Sequence, residues 1–399
     1  MKVKFLWLLC SIAFVSVALI TPIRPNPIRP ESNKVKLIRV PNGGLQPQAV
    51  MDESAVLHLI YFAGEPSSGD IFYLRRDPEK EFSTPLRINS QPGSAVATGT
   101  IRGAHLALGM NGRVHIAWNG SAGSEPRGPN NSAPMLYTRL NDARTAFEPQ
   151  RNVMQISGGL DGGGSLAADK TGDIYVSWHG RGYVNDAQKL HNEADRRVWV
   201  ARSTDDGKTF AREETAYKGQ TGACGCCGMR AFVDPRGDLY LLYRAATELV
   251  NRGMYLLISQ DKGRSFRGLA LDQWQLTTCP MSSATMNLDS SKHPMAAWEN
   301  DGQVYFTTLS STLTKAPVPV SAPGGTGRRK HPAIASNAGG ETILVWTEGT
   351  GWKKGGALAW QVFDRDGIPT AEKGQVDGVP VWSFGTVVAG QDGTFIIVY

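Results

Sequence analysis

Arginines, carboxylic acids and cysteines stand where apolar stretches of this chain begin or have just ended, and their types could do chemistry together. Arg102, Arg230, Arg244 and Arg329 are permanently charged planar donors, suited to bidentate capture of a carboxylate or sulfate. Asp161, Glu299 and Glu348 could supply a general acid and base beside that anion. His179 and His331 occupy equivalent positions, as further binding groups or as hydrogen-bonded structural imidazoles. Trp382 and Trp352 fall in loops where an indole could stack on a sugar ring. Cys224, Cys226, Cys227 and Cys279 form a Cys-Gly-Cys-Cys group and a distant partner. In an exported chain that even number favours one or two disulfides, with Cys279 to Cys226 or Cys227 as the favoured bridge. A thiolate site for a soft metal, Cu(I) or Zn(II), is the alternative, although the spacing matches no zinc-ribbon or haem-attachment pattern.

Composition bounds what can position these groups. The chain has 399 residues, with 42 Lys and Arg against 36 Asp and Glu, and its 45 Gly and 23 Pro predict many tight turns. That excludes a coiled coil, a helical bundle, a collagen-like rod and a disordered chain. The net charge of +6 favours acidic partners, but no run of Lys and Arg interleaves with aromatics, so nucleic acid is not expected. Lys2 and Lys4 precede an apolar run over 5–20, so residues 1–21 are expected to be an export signal, with an N-terminal membrane anchor as the secondary expectation. Residues 22–34, with repeated Ile-Arg-Pro, form a proline-rich linker, and one domain occupies 35–399. The expected location is secreted or periplasmic, and the expected state is a monomer without a cofactor.

An internal repeat supplies the elements. An apolar strand, a polar or Gly-containing turn and a second strand ending on an aromatic recur at 49–62, 104–118, 165–178, 229–243, 283–298, 332–346 and 385–399. The spacing of the closing aromatics, from Phe62 to Tyr399, is that of a four-stranded antiparallel propeller blade. Third and fourth strands follow in several units. The expected fold is therefore an all-β propeller of seven blades, with six as the alternative. The spare strand at 35–40 is expected to close the ring against the last unit, which has no outer strands of its own.

Two turns between third and fourth strands carry a further pattern. Ser203, Asp205, Gly207 and Phe210, and again Ser259, Asp261, Gly263 and Phe266, match Ser-x-Asp-x-Gly-x-x-aromatic. Asp77 with Phe82 and Asp142 with Phe147 are weaker copies. The chain thus resembles the Asp-box propellers, whose best-known members are sialidases, over 35–399. The Asp of the box locks its own turn, so chemistry is expected on the opposite face, where first strands begin and second strands end. The resemblance implies arginines holding a substrate carboxylate, for which Arg102, Arg230 and Arg329 begin first strands and Arg244 lies close. It also implies a late tyrosine nucleophile, and Trp382 stands in that region instead. The expected function is recognition of an acidic glycan at the channel mouth, with hydrolysis left open. A disulfide-stapled interaction scaffold and a thiolate metal-binding propeller are the alternatives.

Overall fold

The computed structural model describes residues 34–182, 193–325 and 327–399. Residues 1–33, where the export signal and nearly all of the linker are expected, and the middle of the 180–195 connection lie outside these. Six sheets follow one another along the chain. Blade 1 is Leu45–Met51, Leu57–Glu65, Ser68–Arg76 and Leu86–Arg87. Blade 2 is His105–Leu108, Val114–Asn119, Met135–Arg139 and Arg151–Asn152. Blade 3 is Gly164–Ala168, Ile174–Gly182, Arg197–Ser203 and Glu214–Thr215, with Ser157–Gly158 paired onto the end of its second strand. Blade 4 is Arg230–Val233, Leu239–Arg244, Met254–Ser259 and Arg267–Ala270. Blades 5 and 6 add outer strands that sequence patterning had not marked: Gln303–Thr308 with Val320–Ser321, and Gly356–Phe363 with Pro369–Val379. Their inner pairs are Ala284–Leu288 with Pro294–Asn300, and Arg329–Ser336 with Thr342–Glu348.

Blade 7 closes the ring in the expected place. Thr386–Ala389 pairs with Phe395–Val398, and the N-terminal strand Val35–Ile38 lies along the latter, Val35 opposite Phe395 and Ile38 opposite Val398. This third strand runs parallel to its neighbour, so the last blade has three strands and the closing one enters from the far end of the sequence. Tyr399 N–H donates to Ile38 O at 3.0 Å and Val40 N–H to Tyr399 O at 2.9 Å, which extends the seal. Each first strand touches the first strand of the next blade, and that of blade 7 touches that of blade 1.

Strand alternation explains why both faces of a blade are apolar. In blade 1, Leu57, Leu59 and Tyr61 pack against Val388, Ile396 and Val398 of blade 7, while Ile60 and Phe62 pack against Leu106, Ile116 and Trp118 of blade 2. Five further clusters fill the other seams in the same way. The closing aromatics sit in these seams, and the buried indoles find partners: Trp118 Nε1 donates to Ser94 O, Trp178 to Ser157 Oγ and Trp298 to Asp272 Oδ2.

Turns at both hairpin levels are held by carboxylates on one face. Between first and second strands, Asp52, Asp169, Asp234 and Asp289 each accept two backbone N–H bonds through Oδ1. Between third and fourth strands, Asp205 accepts from Thr209 N and Oγ1, and Asp261 from Ser265 N and Oγ. Burial opposes ionisation of both, but the hydroxyl and backbone donors outweigh it and hold each carboxyl at about 2.

Candidate functional site

On the opposite face the inter-blade connections converge. A cavity of about 220 Å³ is lined by Gly99, Thr100, Cys279, Met281, Lys330, His331, Trp352, Lys354 and Trp382. Every one of these residues precedes or begins a first strand, or follows a second strand. Beneath it the innermost strands leave a narrower void of about 60 Å³, and Thr100 and His331 line both.

Trp352 and Trp382 form an edge-to-face pair, with ring centroids 5.8 Å apart and planes at 62°. Trp352 is 56% exposed, whereas the indole N–H of Trp382 is buried without a partner. Gln46 Nε2 fixes the Trp382 backbone by donating to its carbonyl at 2.8 Å. Four residues lining this mouth hold left-handed backbone without being glycine: Thr100 at φ 61, Met281 at 48, His331 at 51 and Trp382 at 58. Such conformations are costly for residues with a Cβ and concentrate at ligand sites. Gly99, at φ 85, brings the backbone close, since a Cβ there would meet Met281 Cε at 3.1 Å and both Arg102 Nη1 and Trp352 Cζ3 at 3.3 Å.

The residues singled out from the sequence fall at three depths. Arg102 borders the mouth but pairs with Asp161, Nη2 to Oδ1 at 2.5 Å, and also donates to the Asp161 and Thr98 carbonyls. Arg244 is buried, donating to Arg252 O, Ser282 Oγ and Glu299 O, with its guanidinium 4.8 Å from the Trp274 ring centre. Arg329 donates to Glu348 at 3.1 Å and to Gln303, and Glu348 also accepts from Trp346 Nε1 at 2.8 Å. These three arginines and Glu348 are engaged in the fold's own bonds. Arg230 lies in the narrow void and does not line the mouth.

Glu299 is buried and its Oε2 has no hydrogen-bond partner. Burial raises its pKa above the ordinary carboxyl value, against the pull of Lys330, Arg244 and Ser282. His179 is buried, bonded through Nε2 to Cys227 O at 2.9 Å, and desolvation lowers it to about 4. His331 bonds Thr100 Oγ1 at 3.2 Å and Ser283 Oγ at 3.0 Å, and desolvation lowers it to about 3. Lys330, which lies in the 328–331 stretch entering blade 6, donates to Pro280 O, whereas Thr100 was not singled out in the sequence although it enters blade 2 in the same way.

Cys224, Cys226, Cys227 and Cys279 meet at the entries to blades 4 and 5. Cys226 and Cys279 form a disulfide across 53 residues, with Cα atoms 6.2 Å apart. Cys224 and Cys227 are buried free thiols with sulfurs 3.1 Å apart, and Arg252 Nη1 lies 3.0 Å from Cys224 Sγ. The contact with Cys227 and burial both push the Cys224 thiol up. The sulfurs of Cys224, Cys226 and Cys227 lie within 4.8 Å of one another, close enough for a metal, but Cys226 is already bonded to Cys279. The bridge staples neighbouring blades and contributes Cys279 to the mouth wall.

No protein-family model and no curated protein matches the sequence. Solved structures do match. One is a protein of unknown function from Dyadobacter fermentans, with a TM-score of 0.52 and 12% identity over 79% of this chain and 93% of that one. An α-L-arabinanase from Penicillium chrysogenum, complexed with arabinobiose, has a TM-score of 0.51 and 13% identity over 83% and 96%. A leech intramolecular trans-sialidase, complexed with 2,7-anhydro-Neu5Ac, has a TM-score of 0.51 and 8% identity over 90% and 86%. At these identities the likeness is one of fold. The chain has the fold of the sialidase-like β-propellers, built here from seven blades.

Proposed function

We propose that the protein is an exported propeller that binds an acidic carbohydrate in its mouth cavity. The observation that carries this is the Trp352–Trp382 pair sharing one cavity with Lys330 and Lys354. Aromatic faces suit the apolar side of a sugar ring, and ammonium groups suit its carboxylate or sulfate. Neither lysine is paired with a carboxylate among the described residues. The backbone strain at Thr100, Met281, His331 and Trp382 and the disulfide at Cys279 give the cavity a fixed shape before ligand arrives. Two neighbours of the same fold were solved with sugars bound, which supports a carbohydrate as the ligand class.

Cleavage of that glycan is a second reading, favoured by Glu299. A buried carboxyl with a raised pKa keeps a proton that a general acid could deliver, and Lys330, whose charge acts on it, lines the mouth. Asp161 is the other acid near the mouth, but it is held by Arg102.

Binding to a glycan array tests the proposal. Sialylated or uronate-bearing glycans should be retained over neutral ones, and a Trp352→Ala, Lys354→Ala double variant should lose at least tenfold in retention. Unchanged retention by that variant would overturn the mouth as the site. Turnover of a fluorogenic sialoside that disappears in Glu299→Gln would establish cleavage; absence of turnover would leave binding alone.

A further inference from the structure

Arg230 opens the first strand of blade 4 and lies on the axis of the ring. It lines the 60 Å³ void and, beyond it, a wider opening of about 660 Å³ toward the opposite face. Its Nη1 donates to His105 Nδ1 at 3.1 Å and to Gln48 Oε1 at 3.4 Å, and its Nε is buried without a partner. Among the described residues no carboxylate pairs with it, and none lines the void. Asp52 and Asp289 line the wider opening, where their carboxylates accept the turn N–H groups described above. A half-buried cation whose Nε has no partner and beside which no carboxylate stands favours a counter-charge in the void it faces.

The hydrogen-bond polarity around it is decided by elementary bookkeeping. Arginine only donates, so His105 Nδ1 must accept, and Ser165 Oγ reaches the same nitrogen at 3.4 Å. Desolvation, aided by the Arg230 charge, lowers His105 to about 3, so the ring is neutral and its one proton sits on Nε2. Gln48 accepts through Oε1, which leaves its amide NH₂ as a donor. Burial lowers the Arg230 guanidinium only to about 10, so it is charged at neutral pH. A cation and two neutral donors, from blades 1, 2 and 4, therefore line one void with no acid to answer them.

We infer that the axial void binds a small monovalent inorganic anion, of halide size, held by Arg230, His105 and Gln48. The volume is roughly that of two waters in the liquid, enough for a halide and too little for a sugar ring. The anion neutralises Arg230 and ties three innermost strands across the axis. None of these three residues lines the mouth cavity, so failure of this site would leave the glycan proposal standing.

Thermal melting of the full chain in sodium chloride against sodium gluconate at equal ionic strength tests it, because an anion bound only by the folded state raises Tm with saturation. The wild type should show a saturable rise in chloride that gluconate does not give. Arg230→Met should abolish the difference. Gln48→Leu, which removes one neutral donor at similar side-chain volume, should need about tenfold more chloride for the same rise. Crystals soaked in bromide should show an anomalous peak beside Arg230, a readout that needs no variant to fold. Equal melting in the two salts, a chloride effect unchanged in the variants, or no bromide on the axis would overturn the inference.

Discussion

Burial decides the protonation state of the mouth and channel residues, and with it the response to pH. His105 and His331 are held at about 3 and His179 at about 4, all chiefly by desolvation. An unfolded imidazole titrates near 6.5, so below that pH the unfolded chain takes up protons that the folded chain refuses. Their contribution to stability is therefore intact above about pH 6.5 and is lost as pH falls toward 4. Tm should decline between pH 7 and 5, and His331→Gln should make that decline shallower in a melting series. Glu299 has the opposite sign. Its raised pKa means that stability is present while it is protonated and is lost as pH rises through its folded value. Glu299→Gln should accordingly melt higher than the wild type at pH 8 and about equally at pH 4. The sequence placed Arg102, Arg244, Arg329 and Glu348 on the correct face, because chain position relative to the strands determines the face. It did not reveal their depth, because partners such as Asp161, Ser282 and Gln303 come from other connections whose paths no periodicity encodes.

Hairpins are the units that hold each blade. The strand pairs were legible because apolar runs and turn residues alternate at a regular spacing, and all seven inner pairs appear within a few residues of their expected positions. The outer strands of blades 5 and 6 were not, because Val320–Ser321 is too short to show a pattern and Pro369–Val379 alternates polar residues at an edge. The carboxylates at the first turns were also missed. Asp52, Asp169, Asp234 and Asp289 recur five residues before the second strand, and aligning the units on their closing aromatics would have exposed the last three, with Asp52 one residue out of register. Asp234 is the most informative to change, being buried and accepting from Arg236 N and Asp238 N. Asp234→Ala should destabilise the protein by about 1–3 kcal/mol, measured by denaturant melts, since two backbone donors lose their acceptor.

The ring is stable only if it closes, and closure rests on four residues from the far end of the chain. Val35 packs in the seam between blades 6 and 7, beside Val345, Trp360 and Phe395. Removing residues through Val40 should lower Tm and make the protein associate with increasing concentration, as sedimentation would show, because the edge of Phe395–Val398 is left unpaired. The spare N-terminal strand pointed to this closure in the sequence. Its parallel direction did not appear there, because an apolar pattern reads the same both ways. Closure also fixes the mouth, since Trp382 enters blade 7 and Thr100 enters blade 2 on either side of blade 1. The most direct test of the account is therefore tryptophan fluorescence during titration with 3′-sialyllactose, beside lactose as the neutral control. A saturable change with the acidic sugar, absent with lactose and lost in Trp352→Ala, is the predicted result. No change with either sugar, or a Trp352→Ala variant that titrates like the wild type, would contradict a glycan site at the mouth.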